Sequence, residues 1–334
     1  MNNWMCSGLM PENIIVSSEV SLRRNFKNSY FQNRLSTECL KNNVDEVYNI
    51  LKDKLSLSIL RLWEEDEITL KMYNERRVIS DRLLEERKKG AVILNSDGKL
   101  SIIVNEEDDL RIRYISNGFS LKNSYENINS IDDIIEESSS YAFSEEYGYL
   151  TSSLDNIGTG LNISVILHLP AITMQKGISK LLEELDTDGI KLEALYKDGN
   201  HSYGNLYEIS NKITIGLTEQ DIIYSLEKAA LNICMEEKRQ REILQVQYKY
   251  DVEDKIFRSY GILRGARILK SSEVLELLSN VMFGVEMSLL EIDKELLYNL
   301  IIETRDAVIQ ERFGGTLDNK ELDIERARIV SSLI

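Results

Sequence analysis

The sequence predicts an α+β fold in which an antiparallel sheet is flanked by helices and followed by a helical C-terminal domain. Three observations carry this. A hairpin motif marks the middle of the chain, strand-like and helical runs are interspersed up to about residue 250, and helical texture punctuated by glycines continues from there.

Taken in order, apolar residues between Asp45 and Lys89 recur at helical spacing (Val47, Ile50, Leu51, Leu55, then Leu60 and Trp63), which predicts a small helical N-terminal lobe over 1–89. Ala91–Leu94 and Leu100–Val104 then flank Asn95-Ser96-Asp97-Gly98, where Asp-Gly supplies the turn a hairpin needs. Further strands are expected at Leu161–Leu167, Ile190–Tyr196, Asn205–Ile209 and Lys212–Ile215, with a helix at Ile178–Leu185. Hairpins dominate and no glycine-rich phosphate loop follows a strand, so the domain over 90–250 is expected to hold an antiparallel sheet rather than a dinucleotide-binding one.

Thr218-Glu219-Gln220-Asp221 resembles a capping box opening a long helix, with Ile222, Leu226, Ala229 and Ile233 on its apolar face. The charged run Glu236–Glu242 is expected on the solvated continuation of that helix. A separate helical domain then spans 251–334, punctuated by Gly261, Gly265, Gly284 and Gly314-Gly315. Its apolar runs (Val274, Leu275, Leu277, Leu278, Val281, Met282, then Leu289, Leu290, Leu297) exceed what a short helical domain is expected to bury against itself, which predicts a homodimer held through this region.

Composition narrows the classes. With 334 residues and 43% apolar content the chain can bury a sizeable core, while a net charge of −16 excludes nucleic acid as a main partner, because phosphate contacts need clustered Lys and Arg. No apolar segment approaches the roughly 20 residues that span a bilayer. Met1–Pro11 lacks the basic and apolar regions of a signal peptide. Cys6, Cys39 and Cys234 form no C-x-x-C pair, so neither a disulfide framework nor a metal site is expected. These features point to a reduced, cytoplasmic protein.

The chemically richest stretch is Asn105-Glu106-Glu107-Asp108-Asp109-Leu110-Arg111. Paired carboxylates can hold a guanidinium, although such a run by itself is ordinarily a solvated acidic turn. It stands in an ordered set with Ser17-Ser18, Gly148-Tyr149-Leu150-Thr151-Ser152, Asn156-Ile157-Gly158-Thr159-Gly160-Leu161, His168-Leu169-Pro170 and Gly204-Asn205 through Gly216. In order and approximate spacing this set resembles the protein-arginine kinases, the McsB-type bacterial branch of the phosphagen kinase superfamily. The resemblance runs from about Ile15 into the C-terminal region.

That resemblance implies a phosphagen kinase-like fold and transfer of the γ-phosphoryl group of ATP to an arginine side chain. A guanidinium has a pKa above about 12 and needs carboxylates to orient and deprotonate it. The resemblance assigns this work to Glu107 and to Asp198, where the family usually has Glu, and puts Glu106 near the magnesium shell. Ser17, Ser18 and Arg111 belong to the implied nucleotide site, whose other arginines are replaced by Glu19, Ser21, Asn162 and Glu193. Ser153 replaces a reactive Cys, and Asp109 and Arg77 replace histidines. Lys197, Arg23, Arg24 and Arg77 are the cations expected to compensate in part. At Leu322-Asp323-Ile324-Glu325-Arg326-Ala327, Asp323 and Arg326 match a phosphoarginine-sensing motif in which Leu322 replaces an Arg. His168 is expected to be a satisfied core residue.

Phosphoryl transfer depends on positioning and on electrostatic stabilisation of phosphate oxygens. The expectation is therefore a pseudokinase that has lost efficient ATP binding, needs no cofactor and serves bacterial protein quality control as a regulatory binding module. The implied partners are a Clp-type protease, a zinc-containing activator, a stress repressor and phosphoarginine. The alternative is an active protein-arginine kinase that uses Mg-ATP.

Overall fold

Alternation along one central strand gives the sheet two unlike faces, and the site follows from that. The computed structural model describes residues 14–27, 35–199 and 201–334; Cys6, Pro11 and the Met1–Pro11 stretch lie outside the described residues. The strands are β1 (Ile15–Arg24), β2 (Leu57–Arg61), β3 (Ala91–Asn95), β4 (Leu100–Val104), β5 (Leu110–Asn117), β6 (Phe143–Ser144), β7 (Gly148–Tyr149), β8 (Leu161–His168), β9 (Ile190–Asp198) and β10 (His201–Asn211). The helices are α1 (Thr37–Leu51), α2 (Glu67–Glu75), α3 (Asp81–Glu85), α4 (Leu121–Glu136), α5 (Pro170–Met174), α6 (Ile178–Thr187), α7 (Glu219–Gln247), α8 (Lys249–Gly265), α9 (Ser271–Glu286), α10 (Lys294–Glu303), α11 (Asp306–Phe313) and α12 (Asn319–Leu333).

Eight strands form one antiparallel sheet in the order β2-β3-β4-β5-β1-β8-β10-β9, and β6 pairs with β7 apart from it. One face packs Val20, Leu22, Ile112, Ile163, Val165 and Ile209 against α1, α4 and α7 in the main core. On the other face Val16, Ile115, Ile166 and Leu206 pack against the C-terminal helices, chiefly α9 and α10. The rest of that second face is polar.

The predicted hairpin is β3–β4, with Gly98 in the left-handed region at φ 71°. The capping box is present: Thr218 Oγ1 accepts from the Asp221 N–H, and the Asp221 carboxylate accepts from the Thr218 N–H.

Several expectations are corrected. The N-terminal stretch is not a purely helical lobe, because β1 is the middle of the sheet and Leu60 lies in the edge strand β2. Lys212–Ile215 is irregular: the Thr214 hydroxyl donates to the carbonyls of Asp155 and Ile157, drawing the chain out of the ladder. The run Glu236–Glu242 is not wholly solvated. Glu237 is buried, accepting from the first N–H groups of α5 (Ala171 and Ile172, 3.0 and 2.9 Å) and from Arg241 (2.8 Å). The apolar runs that suggested a second copy are largely buried within the chain, Val274, Leu278, Val281, Met282 and Leu297 completely so, because α9 inserts between the sheet and the other C-terminal helices.

A second buried charge cluster fastens α9 to the sheet. Glu286 accepts from Arg241 (2.8 Å) and Lys294 (3.0 Å) and faces His168 Nδ1 at 3.2 Å; burial opposes its charge, but these neighbours outweigh it and hold its pKa at about 2. Asn205 donates to Ser279 Oγ, which faces His168 Nε2 at 2.9 Å, so His168 is the satisfied core residue expected. Among the described residues no helix is long and apolar enough to cross a membrane.

Candidate functional site

The period of two along each strand builds the site. In β1, Val20 and Leu22 enter the core while Glu19, Ser21 and Arg23 alternate with them. Antiparallel register then lines up their neighbours. Ser21 stands opposite Arg113 and Asn162, Glu19 opposite Ser164, Ser210 opposite Ser164, and Glu208 opposite Glu193. The result is a polar patch five strands wide that lines a cavity of about 640 Å³, bounded also by Arg77 and Ser80 around α3 and by Arg305 from the C-terminal helices.

Glu19, Ser21, Asn162 and Glu193, the four positions where the resemblance implies lost arginines, all line this cavity together with Arg111. Arg111 is engaged: it donates to Glu19 at 2.6 Å and stands 3.7 Å from Glu106. Arg77, in the left-handed region at φ 57°, donates to both oxygens of Glu208 at 3.1 and 3.0 Å, and Ser164 donates to the same carboxylate at 2.7 Å. Arg113 donates to Ser101 and to the carbonyls of Arg77 and Val78.

Burial opposes the charge of Glu19, but Arg113, Arg111 and Arg77 outweigh it and hold the carboxyl below its ordinary range. Burial wins at Arg113, whose guanidinium is pushed down to about 10. At an effective dielectric of about 20, unit charges roughly 4 Å apart attract by about 4 kcal/mol. An anionic ligand would have to displace Glu19 from Arg111 or bind beside the pair. Glu193 is held by Lys191 at 2.8 Å, which lowers its pKa, with Lys197 at 3.7 Å.

The acidic loop adjoins this cavity through Glu106, which contacts the lining residues Ser80 and Arg111. Asn105 adopts φ 60°, which asparagine tolerates, and its amide donates to the carbonyls of Leu40 and Lys89, pinning the turn between β4 and β5. Glu106 is buried and accepts from Ser80 (2.5 Å) and Arg23 (3.4 Å); Arg111 and Arg23 overcome its burial and keep its pKa low. Glu107 pairs with Arg82 at 2.7 Å and Arg23 at 3.5 Å. Asp108 accepts from the Ser152 N–H and Asn25, and Asp109 from the Phe26 N–H, so these two tie the loop to its surroundings.

Other predicted residues lie elsewhere. Ser17 and Ser18 do not line the cavity; Ser18 is buried, bonding Ser116, the Gly118 carbonyl and the Ser120 N–H, and it fastens β1 to the start of α4. Arg24 is buried against Asp132. Asp198 is exposed at the end of β9 and lines an adjoining cavity of about 480 Å³; among the described residues no ion pair or hydrogen bond joins it to Glu106 or Glu107. Arg326 is fully buried, donating to the carbonyls of Thr304 and Leu269 and pairing with Asp323 (2.6 Å) and Asp306.

Sequence reasoning missed Arg113, Glu208 and Arg305. The first two carried a signal, since Arg111-Ile112-Arg113 and Glu208-Ile209-Ser210 alternate polar with apolar as Glu19 to Arg23 do. Arg305 has no local signature.

Comparison with known proteins agrees with this geometry. Residues 39–240 match the model of the ATP:guanido phosphotransferase C-terminal catalytic domain, and residues 249–334 match that of the protein-arginine kinase McsB C-terminal domain. A protein-arginine kinase of Clostridium botulinum is 44% identical over 100% of this chain and 99% of its own length, and one of Clostridium novyi is 44% identical over 99% and 97%. Two solved structures share the fold: a duplicated taurocyamine kinase from Schistosoma mansoni (TM-score 0.60, 22% identity, 70% of this chain and 34% of that one) and a lombricine kinase (TM-score 0.59, 15% identity, 70% and 69%). The chain belongs to the protein-arginine kinase family of ATP:guanido phosphotransferases.

Proposed function

We propose that this protein is a member of the family whose nucleotide cradle is neutralised from within, and that it works in bacterial protein quality control as a regulatory binding module in the cytoplasm. The observation that supports this reading is the Glu19–Arg111 ion pair at 2.6 Å inside the cavity. The arginine that the resemblance retains for the phosphates is already bound to a carboxylate. Glu208 holds Arg77 in the same way. The partners that fit this reading are those of the family: a Clp-type protease, a zinc-containing activator, a stress repressor and phosphoarginine-bearing proteins. A homodimer fits as well, through the exposed apolar residues Val246, Tyr250, Phe257 and Ile268 along α8 and its flanks. The test is calorimetric titration with Mg-ATP, for which the expected dissociation constant is weaker than about 1 mM. A saturable isotherm in the micromolar range would sink the reading.

The second reading is an active protein-arginine kinase using Mg-ATP. It is favoured by the cavity itself, which keeps about 640 Å³ of space beside Arg111, Arg113, Arg77, Lys197 and Arg305. Relatives of the same length bear that name. Phosphoryl transfer to arginine on a protein substrate, lost in Glu107→Gln, would establish it.

A further inference from the structure

The long helix α7 is apolar on two opposite faces. One of them, through Ile222, Leu226, Ala229, Ile233 and Leu244, is buried. A helix face turned to solvent is ordinarily polar and charged. Here the outward face carries Tyr224, Leu231, Met235 and Val246, exposed by between 44% and 83%. Their spacings of 7, 4 and 11 residues are close to two, one and three helical turns, so the four lie on a single stripe. Lys228 and Glu242, also exposed, fall on the same stripe between them.

The order of residues along the stripe selects its occupant. About a two-fold axis through Met235, an antiparallel second copy sets each residue on one side of Met235 against the residue equally far on the other side. Tyr224 then faces Val246 of the other copy, Lys228 faces Glu242, Leu231 faces Arg239 and Met235 faces itself. Apolar meets apolar and cation meets anion, and by symmetry each flanking contact occurs twice. Arg239 fits beside Leu231 because Glu236 of its own helix holds the guanidinium at 2.9 and 2.7 Å, which leaves the aliphatic stem as contact surface. A parallel arrangement would instead set Lys228 against Lys228 and Glu242 against Glu242. Two copies of a chain with net charge −16 repel at long range, so a contact between them needs local neutrality. On this stripe Lys228 and Glu242 offset each other, as do Glu236 and Arg239.

We propose that the outward stripe of α7 is a self-docking surface on which a second copy of this chain packs antiparallel about Met235. The inference rests on the homodimer reading above and moves its contact from α8 to α7, with Val246 common to the two faces. The seam from Tyr224 to Val246 is about 33 Å long at about 1.5 Å per residue. Lys228 and Glu242 stand about 21 Å apart along their own helix, too far to meet within one chain, so any coupling between them reports a second copy. Because α7 packs on the sheet face opposite the polar cavity, paired copies keep both cavities open.

Sedimentation equilibrium of the full-length protein at an ionic strength of about 0.15 M reads the contact. The wild type should dimerise in the micromolar range. Met235→Asp sets two carboxylates face to face and should weaken the dimer at least about tenfold, with helical content by circular dichroism unchanged because the position is exposed. Lys228→Glu and Glu242→Lys should each weaken it about tenfold, and the two together should return it to within about threefold of the wild type, a rescue that only contact between copies can give. A dimer that survives Met235→Asp and both single charge swaps but dissociates in Phe257→Asp would overturn the α7 contact and keep the homodimer reading on α8. A wild type that stays monomeric at about 100 μM would overturn both.

Discussion

Two clusters of buried charge, one on the open face of the sheet and one beneath α9, are built from the same residue types and are arranged for different ends. Beneath α9, Glu286 is closed in by Arg241, Lys294 and His168, Glu237 by Arg241 and two backbone N–H groups, and the carboxylates have no exposed side-chain surface. On the open face, Glu19 and Arg111 are each exposed by about one sixth and look into about 640 Å³ of space. A charge whose partners are all protein holds elements together. A charge that faces a cavity is open to exchange with solvent or a ligand, and here the arginine facing it, Arg111, is paired with Glu19.

The sharpest way to break this comparison is to remove one carboxylate from each cluster. Glu286→Ala should cost about 3–5 kcal/mol in urea unfolding, because it removes the buried carboxylate on which Arg241 and Lys294 converge. The same carboxyl titrates at about 2 in the folded chain against an ordinary value of 4.5. Its folded pKa is depressed, so its contribution is fully present above about pH 4.5 and is lost as pH falls toward 2; the stability of Glu286→Gln should accordingly depend less on pH between about 5 and 3. Equal slopes for the two proteins would show that this pair is not what acid unfolds.

A large functional effect is expected in the cavity. Glu19→Arg, Ser21→Arg, Asn162→Arg and Glu193→Arg together should strengthen Mg-ATP binding on the order of a hundredfold, measured by calorimetry, whereas single reversions should do little because such residues act as a unit. A folded quadruple variant with no gain would mean that the cavity has lost more than these side chains.

Glu19→Gln is the intermediate case. It should cost only about 1–2 kcal/mol, since Glu106 at 3.7 Å and solvent remain near Arg111, and it should improve Mg-ATP affinity a few-fold, about threefold. A loss as large as that of Glu286→Ala would place Glu19 among the structural charges and remove the contrast. Smallest is Glu107→Gln, expected to shift stability by less than about 1 kcal/mol in thermal unfolding because its partner Arg82 is half exposed, while weakening the binding of an arginine-bearing peptide.

Local chemistry made much of this legible in the sequence. The Asp97-Gly98 turn, the capping box at Thr218 and the helices beyond 251 each rest on a few adjacent residues, and each is where it was expected. Failures came where long-range pairing overrides local pattern. Residues 57–61 read as part of a helical run, but they complete an edge strand beside β3. Val274 to Leu297 read as surplus apolar surface, because a one-dimensional reading cannot see that the sheet covers α9.

For the site, the sequence by itself singled out the acidic loop, Arg111, Glu19, Ser21, Asn162 and Glu193, because side-chain type and spacing are local properties. Which of them meet was decided only by the tertiary structure. Register between strands far apart in sequence, 141 residues for Ser21 and Asn162, set Ser21 opposite Arg113 and Asn162, and put Glu19 within 2.6 Å of Arg111. Packing of the C-terminal helices carried Arg305 to a cavity whose other lining residues come from the sheet and the N-terminal half of the chain, buried Arg326 among backbone carbonyls, and left Ser17 and Ser18 outside the cavity. Contacts of that kind depend on how whole elements settle against one another, and no short stretch of residues encodes them.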